Sequence, residues 1–477
     1  MPASPSSNRP FLIAVSSHWV SLTGLALALT ALISWMFVLP AQVRGHVGNP
    51  YIGILIFIII PAIFFVGLAL IPLGIFLGRR RIRKGMKEAI TDPRLALRRL
   101  AWFLGSATLL NLIVGTQFTY RAVEHMESVQ FCGQTCHVMT PEFSAFQNSP
   151  HSRLQCVDCH VAPGVEGWLA SKVAGSRQLV GVMLNNYHRP IASALESDRL
   201  VPSSETCERC HWPEKFSGTR LLVKPKYADD EANSESHTVM TMLIGGNKVR
   251  GIHGSHFGNG AKIRFAAADR KRQTIPWVEY TNSVTSQKRE YLATDTPRES
   301  TTDLPVHEMQ CVDCHNRPTH TFELPERSVD KALALGEIPV SLPYVKKQGV
   351  QVLKASYASN AEASSRIPTA LTDYYRQNHP ALFNQRSREI ETAGAALASI
   401  YNRNVFPDLK VTWGTYPNNL GHTDFPGCFR CHDERKESGS DLTLTQDCSA
   451  CHEMLAEEET SAKILETLGV AGRLKEL

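Results

Sequence analysis

Twelve cysteines fall into six pairs along the chain, and a histidine follows each pair at once. Five pairs share the spacing C-x-x-C-H: Cys156/Cys159/His160, Cys207/Cys210/His211, Cys311/Cys314/His315, Cys428/Cys431/His432 and Cys448/Cys451/His452. The sixth, Cys132/Cys136/His137, is one residue wider. Two intervening residues let both sulfurs form thioethers with the two vinyl groups of one haem, and the next histidine then lies under the iron as an axial ligand. The pattern therefore predicts covalent haem c at each pair, six in all.

Other uses of paired cysteines fit less well. Structural zinc would join the motifs two by two, which five copies with an obligatory trailing histidine do not allow. A disulfide framework suits a short secreted chain, whereas more than 350 residues here follow the apolar N-terminal region and can bury a core unaided.

A C-x-x-C-H motif leaves one face of the iron open. Outside the motifs, with His18 and His46 set aside on the membrane segment, the remaining histidines are His125, His151, His188, His237, His253, His256, His307, His320, His379 and His422. The favoured axial ligands are His151, His307, His320 and His422, each close to a motif in sequence, and His188 in NNYHRP, followed by His253 and His256 as a tight HGSH pair in a Gly-rich turn. His237 and His379 rank lowest. Met139, two residues after His137, competes for the first site. Bis-histidine ligation favours low potential and electron transfer.

Elements that could carry these sites divide the chain. Residues 10–43, 45–78 and 100–120 contain no Asp, Glu, Lys or Arg, and each exceeds the roughly 18–20 residues that cross a bilayer. Transmembrane helices are expected near 18–39, 51–77 and 100–120, with Pro61 and Pro72 kinking the second without ending it. The apolar run at the N-terminus is too long for an ordinary cleavable signal and is expected to remain as an anchor. Between the second and third spans lie Arg79, Arg80, Arg81, Arg83, Lys84, Lys87, Arg94, Arg98 and Arg99 against Glu88 and Asp92. The positive-inside bias makes this loop and the N-terminus cytoplasmic and puts everything after residue 121 outside. The charge balance agrees: residues 1–120 carry a net +9 of the chain's +5, leaving −4 for the remainder. Basicity is thus a topology signal and not a sign of nucleic acid.

The fold class expected is a membrane-anchored multihaem cytochrome c with three N-terminal transmembrane helices and a mainly α or irregular haem body carrying a small β insert. Four regions follow: an anchor over 1–120, a three-haem domain over 121–215, a β-rich insert over 216–300, and a second three-haem domain over 301–477 with a helical segment over 328–405. Strands are expected at Leu221–Tyr227, Thr238–Ile244, Lys262–Ala266, Trp277–Thr281 and Lys288–Ala293. An acidic amphipathic helix is expected over Ala456–Leu477.

The stretch FCGQTCHVMTPEFSAFQNSPHSRLQCVDCHVAPG, residues 131–164, resembles the NapC/NirT/NrfH family of quinol-oxidising cytochromes, with its CHxM, S-x-H and C-x-D-C-H pattern. Further on, GIH-x-x-H, RQTIPWVEY, HEMQCVDCHNRPTH and VTWGTYPNNLGHTDFPGCFRCH resemble the longer three-span members of the inner-membrane ImcH type. The resemblance implies oxidation of membrane quinol near the first haem and onward transfer to a periplasmic or outer-membrane cytochrome, in the bacterial cytoplasmic membrane. Lys172 matches a family lysine at the quinol site. Where the family has an acidic residue near the first haem, this chain has Gln178. With Lys172, the residues placed for proton transfer are Glu124, His125 and Glu127, which follow the third span. Two alternatives stay open: a haem-bearing anchor subunit of a larger complex, and a terminal reductase of a small oxyanion. No lysine-ligated C-x-x-C-K motif, as in nitrite reductases, occurs.

Overall fold

The computed structural model of the chain describes residues 15, 18–43, 60–83, 93–197, 200–212, 218–246, 251–258, 260–440 and 442–470. They divide into two compact units, Met1–Cys132 with Val161–Tyr187, and Gly133–His160 with His188–Leu477.

The first unit holds α1 (Trp19–Val43), α2 (Ile60–Arg83), α3 (Pro93–Glu127) and α4 (Gly164–Met183). Ile60–Arg80 and Leu97–Glu127 are long and apolar enough to cross a membrane, and Trp19–Ser34 is a shorter apolar helix. Residues 51–59 of the expected second span and 84–92 of the basic loop lie outside the described residues. Pro72 stands inside α2 without ending it.

Packing in this unit is the reverse of a soluble bundle. Phe65, Val66, Phe76, Trp102, Leu110, Ile113 and Phe118 are exposed, whereas small residues meet between α1 and α2. A Cβ on Gly24 would lie 2.6 Å from the carbonyl oxygen of Gly67, and one on Gly74 would lie 2.2 Å from the amide nitrogen of Ser21. In lipid no hydrophobic force draws helices together, so close backbone approach and interhelical hydrogen bonds must. Asn111 of α3 supplies one such bond, donating to Thr30 Oγ1 of α1 at 3.0 Å.

The second unit contains two antiparallel sheets. Its strands are β1 (Thr219–Tyr227), β2 (Glu235–Leu243), β3 (Ala261–Ala266), β4 (Trp277–Asn282), β5 (Gln287–Leu292), β6 (Val306–Glu308), β7 (Lys436–Glu437) and β8 (His452–Glu459). One sheet has the order β1-β2-β8 and the other β6-β3-β4-β5-β7. The five segments expected as strands lie in or along β1 to β5, but β7 and β8, from beyond residue 430, complete both sheets.

The expected helix over Ala456–Leu477 is a correction: the chain is extended through Glu459, and a short helix follows only at Lys463–Thr467. Residues 471–477 lie outside the described residues. The physical reason is the free edge of β2, which β8 pairs with Ala456 opposite Val239. Both side chains then close a small core with Ala462 and Leu465, and that burial outweighs the helical preference of the Ala-Glu-rich sequence.

A helical scaffold free of motifs fills the interval between His315 and Cys428. It consists of α6 (Pro325–Ala334), α7 (Val345–Lys354), α8 (Asn360–Asn378) and α9 (Pro380–Asn404), following α5 (Ile252–Phe257) in the chain. Leu342, Leu353, Ile367, Leu371, Tyr375, Ile390, Leu397 and Ile400 form its fully buried core. Ser359 caps α8, its Oγ accepting from the amide of Glu362 at 3.1 Å. α8 and α9 touch where Gly394 meets Pro368: a Cβ there would lie 2.9 Å from Pro368 Cα. Buried Asp330 of α6 accepts from Lys346 Nζ at 2.5 Å and from the amide of Tyr227 at 3.1 Å, tying β1 to the scaffold.

Candidate functional site

Each standard motif is a single helical or 3-10 turn. The amide of the histidine donates to the carbonyl of the first cysteine in four of them: His160 to Cys156 at 3.0 Å, His211 to Cys207 at 2.8 Å, His315 to Cys311 at 2.8 Å and His432 to Cys428 at 3.1 Å. In the fifth the bond runs from Cys451 to Cys448 at 3.1 Å, and His452 begins β8 instead. Near the wide motif, Phe131–Thr135 forms a π-helical turn, the kind of turn that takes up one residue more than an α turn. Gly133 is required there, because a Cβ would meet the Phe143 ring at 2.1 Å. The side chain of His137 lies outside the described residues.

Every standard-motif histidine faces a histidine from elsewhere in the chain. Ring centres are 6.1 Å apart for His160 and His320, 6.0 Å for His211 and His151, 6.2 Å for His315 and His253, 5.9 Å for His432 and His256, and 6.2 Å for His452 and His422. Two metal–imidazole bonds of about 2.0–2.1 Å in line place ring centres about 6 Å apart. The five pairs thus have the separation that one iron between two axial imidazoles requires.

The tautomers agree. A carbonyl only accepts, so an Nδ1 beside one carries the proton and leaves Nε2 free to bind metal. Nδ1 of His320 donates to the Glu142 carbonyl at 2.9 Å, that of His256 to Ile252 at 2.6 Å, that of His432 to Thr445 at 2.8 Å and that of His151 to Pro318 at 3.3 Å. Burial also favours neutral rings. It pushes His160, His253, His256 and His315 below the usual histidine range, and His320 down to about 4, against the hydrogen bond to Glu142.

The cysteines fit haem and not zinc. All twelve are free of disulfides, and burial pushes Cys314 up to about 12 and raises Cys159, Cys311, Cys431 and Cys451. A half-buried, uncharged sulfur is compatible with attachment as an uncharged thioether. Among the described residues no cluster of three or more His, Cys, Asp or Glu side chains could hold a metal.

The predicted haem cysteines are not equally enclosed. Cys210, Cys428 and Cys448 are exposed, whereas the other nine are half-buried. Cys210 departs from the picture of a cofactor-binding residue sunk in a pocket. It follows the 3-10 turn Cys207–Arg209, its amide donating to the Cys207 carbonyl at 3.1 Å, and the neighbouring Arg209, His211 and Trp212 are exposed with it. The motif here is a short 3-10 turn at the surface. A thioether is a covalent bond whose strength does not depend on burial, so the exposed sulfur lies within the chemistry the motif implies.

Other candidate ligands lie elsewhere. His307 packs its ring on Phe265 at 5.6 Å and lines an open cleft of about 510 Å³ with Asp269, Arg270 and Arg272. His237 is buried beside Glu235, and His379 packs among Tyr344, Tyr374 and Tyr375. Exposed His188 has no described ring contact with a motif histidine. Met139 ends the 3-10 turn that begins at His137. His253 and His256 do not sit in an irregular turn but on α5, three residues apart.

In the first unit, α3 and α4 bring Glu127 and Lys172 together. Lys172 Nζ is 3.5 Å from Glu127 Oε1, with side-chain exposures of 14% and 28%. Trp168 Nε1 donates to the same carboxylate at 2.5 Å, and Lys172 Nζ lies 5.4 Å from the Trp168 ring centre. Glu124 pairs instead with Arg121 at 3.0 Å on an exposed turn, His125 packs on Phe131 at 5.5 Å, and Gln178 is exposed further along α4. Sequence reasoning missed Trp168, although its position one helical turn before Lys172 is a readable signal.

Paired imidazoles over cysteine turns, in a chain that also bears lipid-compatible helices, define a membrane cytochrome c that transports electrons. The chain belongs to the NapC/NirT cytochrome c family: the model of that family's N-terminal region matches residues 96–240. It is 38% identical over 449 residues to the cytochrome c-type protein ImcH of Geobacter sulfurreducens, covering 92% of this chain and 88% of the relative. It is also 29% identical over 108 residues to the cytochrome c-type protein NrfH of Wolinella succinogenes, covering 22% of this chain and 60% of the relative. No solved structure matches it.

Proposed function

We propose that this chain oxidises a membrane quinol and delivers its electrons, through six covalently attached haems, to a cytochrome acceptor in the periplasm or outer membrane. The observation that carries the reading is the set of five histidine pairs at 5.9–6.2 Å. Two imidazoles on one iron leave no position for an exchangeable substrate, which favours electron transfer over reduction of a small oxyanion. The sixth attachment, at Cys132 and Cys136, rests on the sequence, with His137 as one ligand and Met139 or His188 as the other. Each haem, when bound, supplies a one-electron acceptor.

The chain's own residues have the proton chemistry to do. Quinol oxidation yields two electrons and two protons, so the site needs proton acceptors and a donor that holds the quinol oxygen. Lys172 is placed to donate a hydrogen bond to that oxygen, and Glu127 to take a proton. Trp168 and Lys172 hold the Glu127 carboxylate between them. Glu127 ends α3, and Cys132 follows five residues later in the chain.

The proposed placement is the bacterial cytoplasmic membrane, spanned three times, with the N-terminus cytoplasmic and the haem-bearing body periplasmic. The arginines that close α2 and open α3 support that orientation. The regions 1–120, 121–215, 216–300 and 301–477 remain the proposed functional divisions. The test is stopped-flow reduction of the purified chain by a menaquinol analogue. Rapid quinol-driven haem reduction supports the proposal, and a chain reducible only by dithionite makes it an anchor subunit that needs a partner to oxidise quinol.

A further inference from the structure

The ties between successive ligand pairs have a regular order. His151, paired with His211, donates from Nδ1 to Pro318 at 3.3 Å, two residues before His320, the partner of His160. The amide of Ser203, on the turn before Cys207, donates to Gln310 Oε1 at 2.9 Å, and Gln310 caps the Cys311–Cys314 turn. α5 then supplies His253 to His315 and His256 to His432.

The same third and fourth motifs are joined again through buried arginines. Arg430, between Cys428 and Cys431, donates to the carbonyl of Asp313 at 2.6 Å and to that of Arg272 at 2.7 Å, while Arg272 Nη1 binds Asp313 Oδ1 at 2.7 Å. Arg435, 1% exposed, donates to the Arg430 carbonyl at 2.8 Å. Finally, Gln446 donates to the His432 carbonyl at 2.5 Å, and Phe429 of the fourth motif stacks on His422, the partner of His452, at 4.4 Å and 14°.

We infer that the five ligand pairs form one unbranched relay in chain order, from His160–His320 through His211–His151, His315–His253 and His432–His256 to His452–His422, and that electrons leave from this last pair. Each of the four steps joins consecutive motifs, and among the described residues the ties of the last pair run to the fourth motif. With haem held at each pair, every handover would transfer one electron and no proton, one site being oxidised from ferrous to ferric as the next is reduced from ferric to ferrous. The source is the quinol of the proposed function, on which the direction of flow rests, and the final taker is a one-electron protein acceptor outside the chain.

The middle of the relay is the place to test it. In full-length chain in nanodiscs, Cys311→Ser with Cys314→Ser should lower the denatured mass by one haem. Quinol-driven reduction should then split, with the haems of Cys428 and Cys448 filling in a separate slow phase and those before the break keeping the wild-type rate. A single phase at the wild-type rate for all remaining haems would overturn the order. Arg430→Gln keeps every attachment and needs no quinol: in a redox titration it should lower the potentials of the haems at Cys311 and Cys428, because a buried cation between them is lost, and leave that at Cys156 unchanged. A uniform shift, or none, would overturn the relay even if quinol oxidation holds. A quinol-inert chain with the localised shift would overturn only the source.

Discussion

Replacing Lys172 by Met probes the quinol site with little change in side-chain volume. The Lys172–Glu127 contact of 3.5 Å is worth about 5 kcal/mol of gross Coulomb attraction at an effective dielectric of about 20. Desolvation and screening remove most of that, since measured exposed pairs return only about 0–1 kcal/mol. With both side chains partly exposed, the variant should lose no more than about 1 kcal/mol of stability. Catalysis should suffer more. A hydrogen bond from a charged donor contributes about 1.5–3 kcal/mol, which predicts a fall of roughly 10- to 150-fold in the quinol-driven rate. The assay is stopped-flow haem reduction by a menaquinol analogue, with dithionite reduction as the control for intact haems. Trp168→Phe, which removes the N–H donated to Glu127 but keeps a ring, should produce a smaller loss. Wild-type quinol rates in Lys172→Met, with unchanged dithionite rates, would refute the assignment of Lys172.

Three further outcomes follow. Separate alanine substitutions of His151, His320, His253, His256 and His422 should each convert one low-spin haem to high spin, whereas His307→Ala should leave the visible spectrum unchanged. Denaturing mass spectrometry should find six haems on the wild-type chain and five after Cys132→Ser with Cys136→Ser; five on the wild type would leave the wide motif without haem. Glu279 concerns stability: burial would raise its pKa, but the hydrogen bond and charge of Lys288 at 2.9 Å and of Arg264 at 3.1 Å hold it below the ordinary value of 4.5. A depressed carboxylate stabilises above its unfolded pKa and loses that contribution as pH falls through the folded one. Glu279→Gln should therefore lower the melting temperature at pH 7 and progressively less below pH 4.5.

The covalent part of the site was legible because thioether attachment fixes a local spacing that no fold can alter. Exposure was not legible from that spacing: Cys210 and Cys314 hold the same place in their motifs, yet one is open to solvent and the other half-buried. The ligands were less legible, because coordination joins residues far apart in sequence. Nearness in sequence is a poor guide here: His151 lies five residues before Cys156 yet faces His211, and His320 follows His315 yet faces His160. His422, next to the fourth motif, faces the fifth. His307 stands four residues before Cys311 but is held by β6 against Phe265. The strands showed in β-branched and aromatic runs, while β8 did not, since an Ala-Glu-rich segment favours a helix until an open sheet edge claims it. Glu127 and Lys172 were both nominated from sequence, but that Glu127, and not Glu124, meets the lysine depends on which face of α3 meets α4.

The most direct test of the account counts ligand sets in the oxidised, purified chain. Near-infrared magnetic circular dichroism with low-temperature electron paramagnetic resonance should show low-spin bis-histidine signatures for at least five haems, matching the five imidazole pairs. A substantial high-spin population, or methionine ligation at any of the five C-x-x-C-H sites, would contradict it.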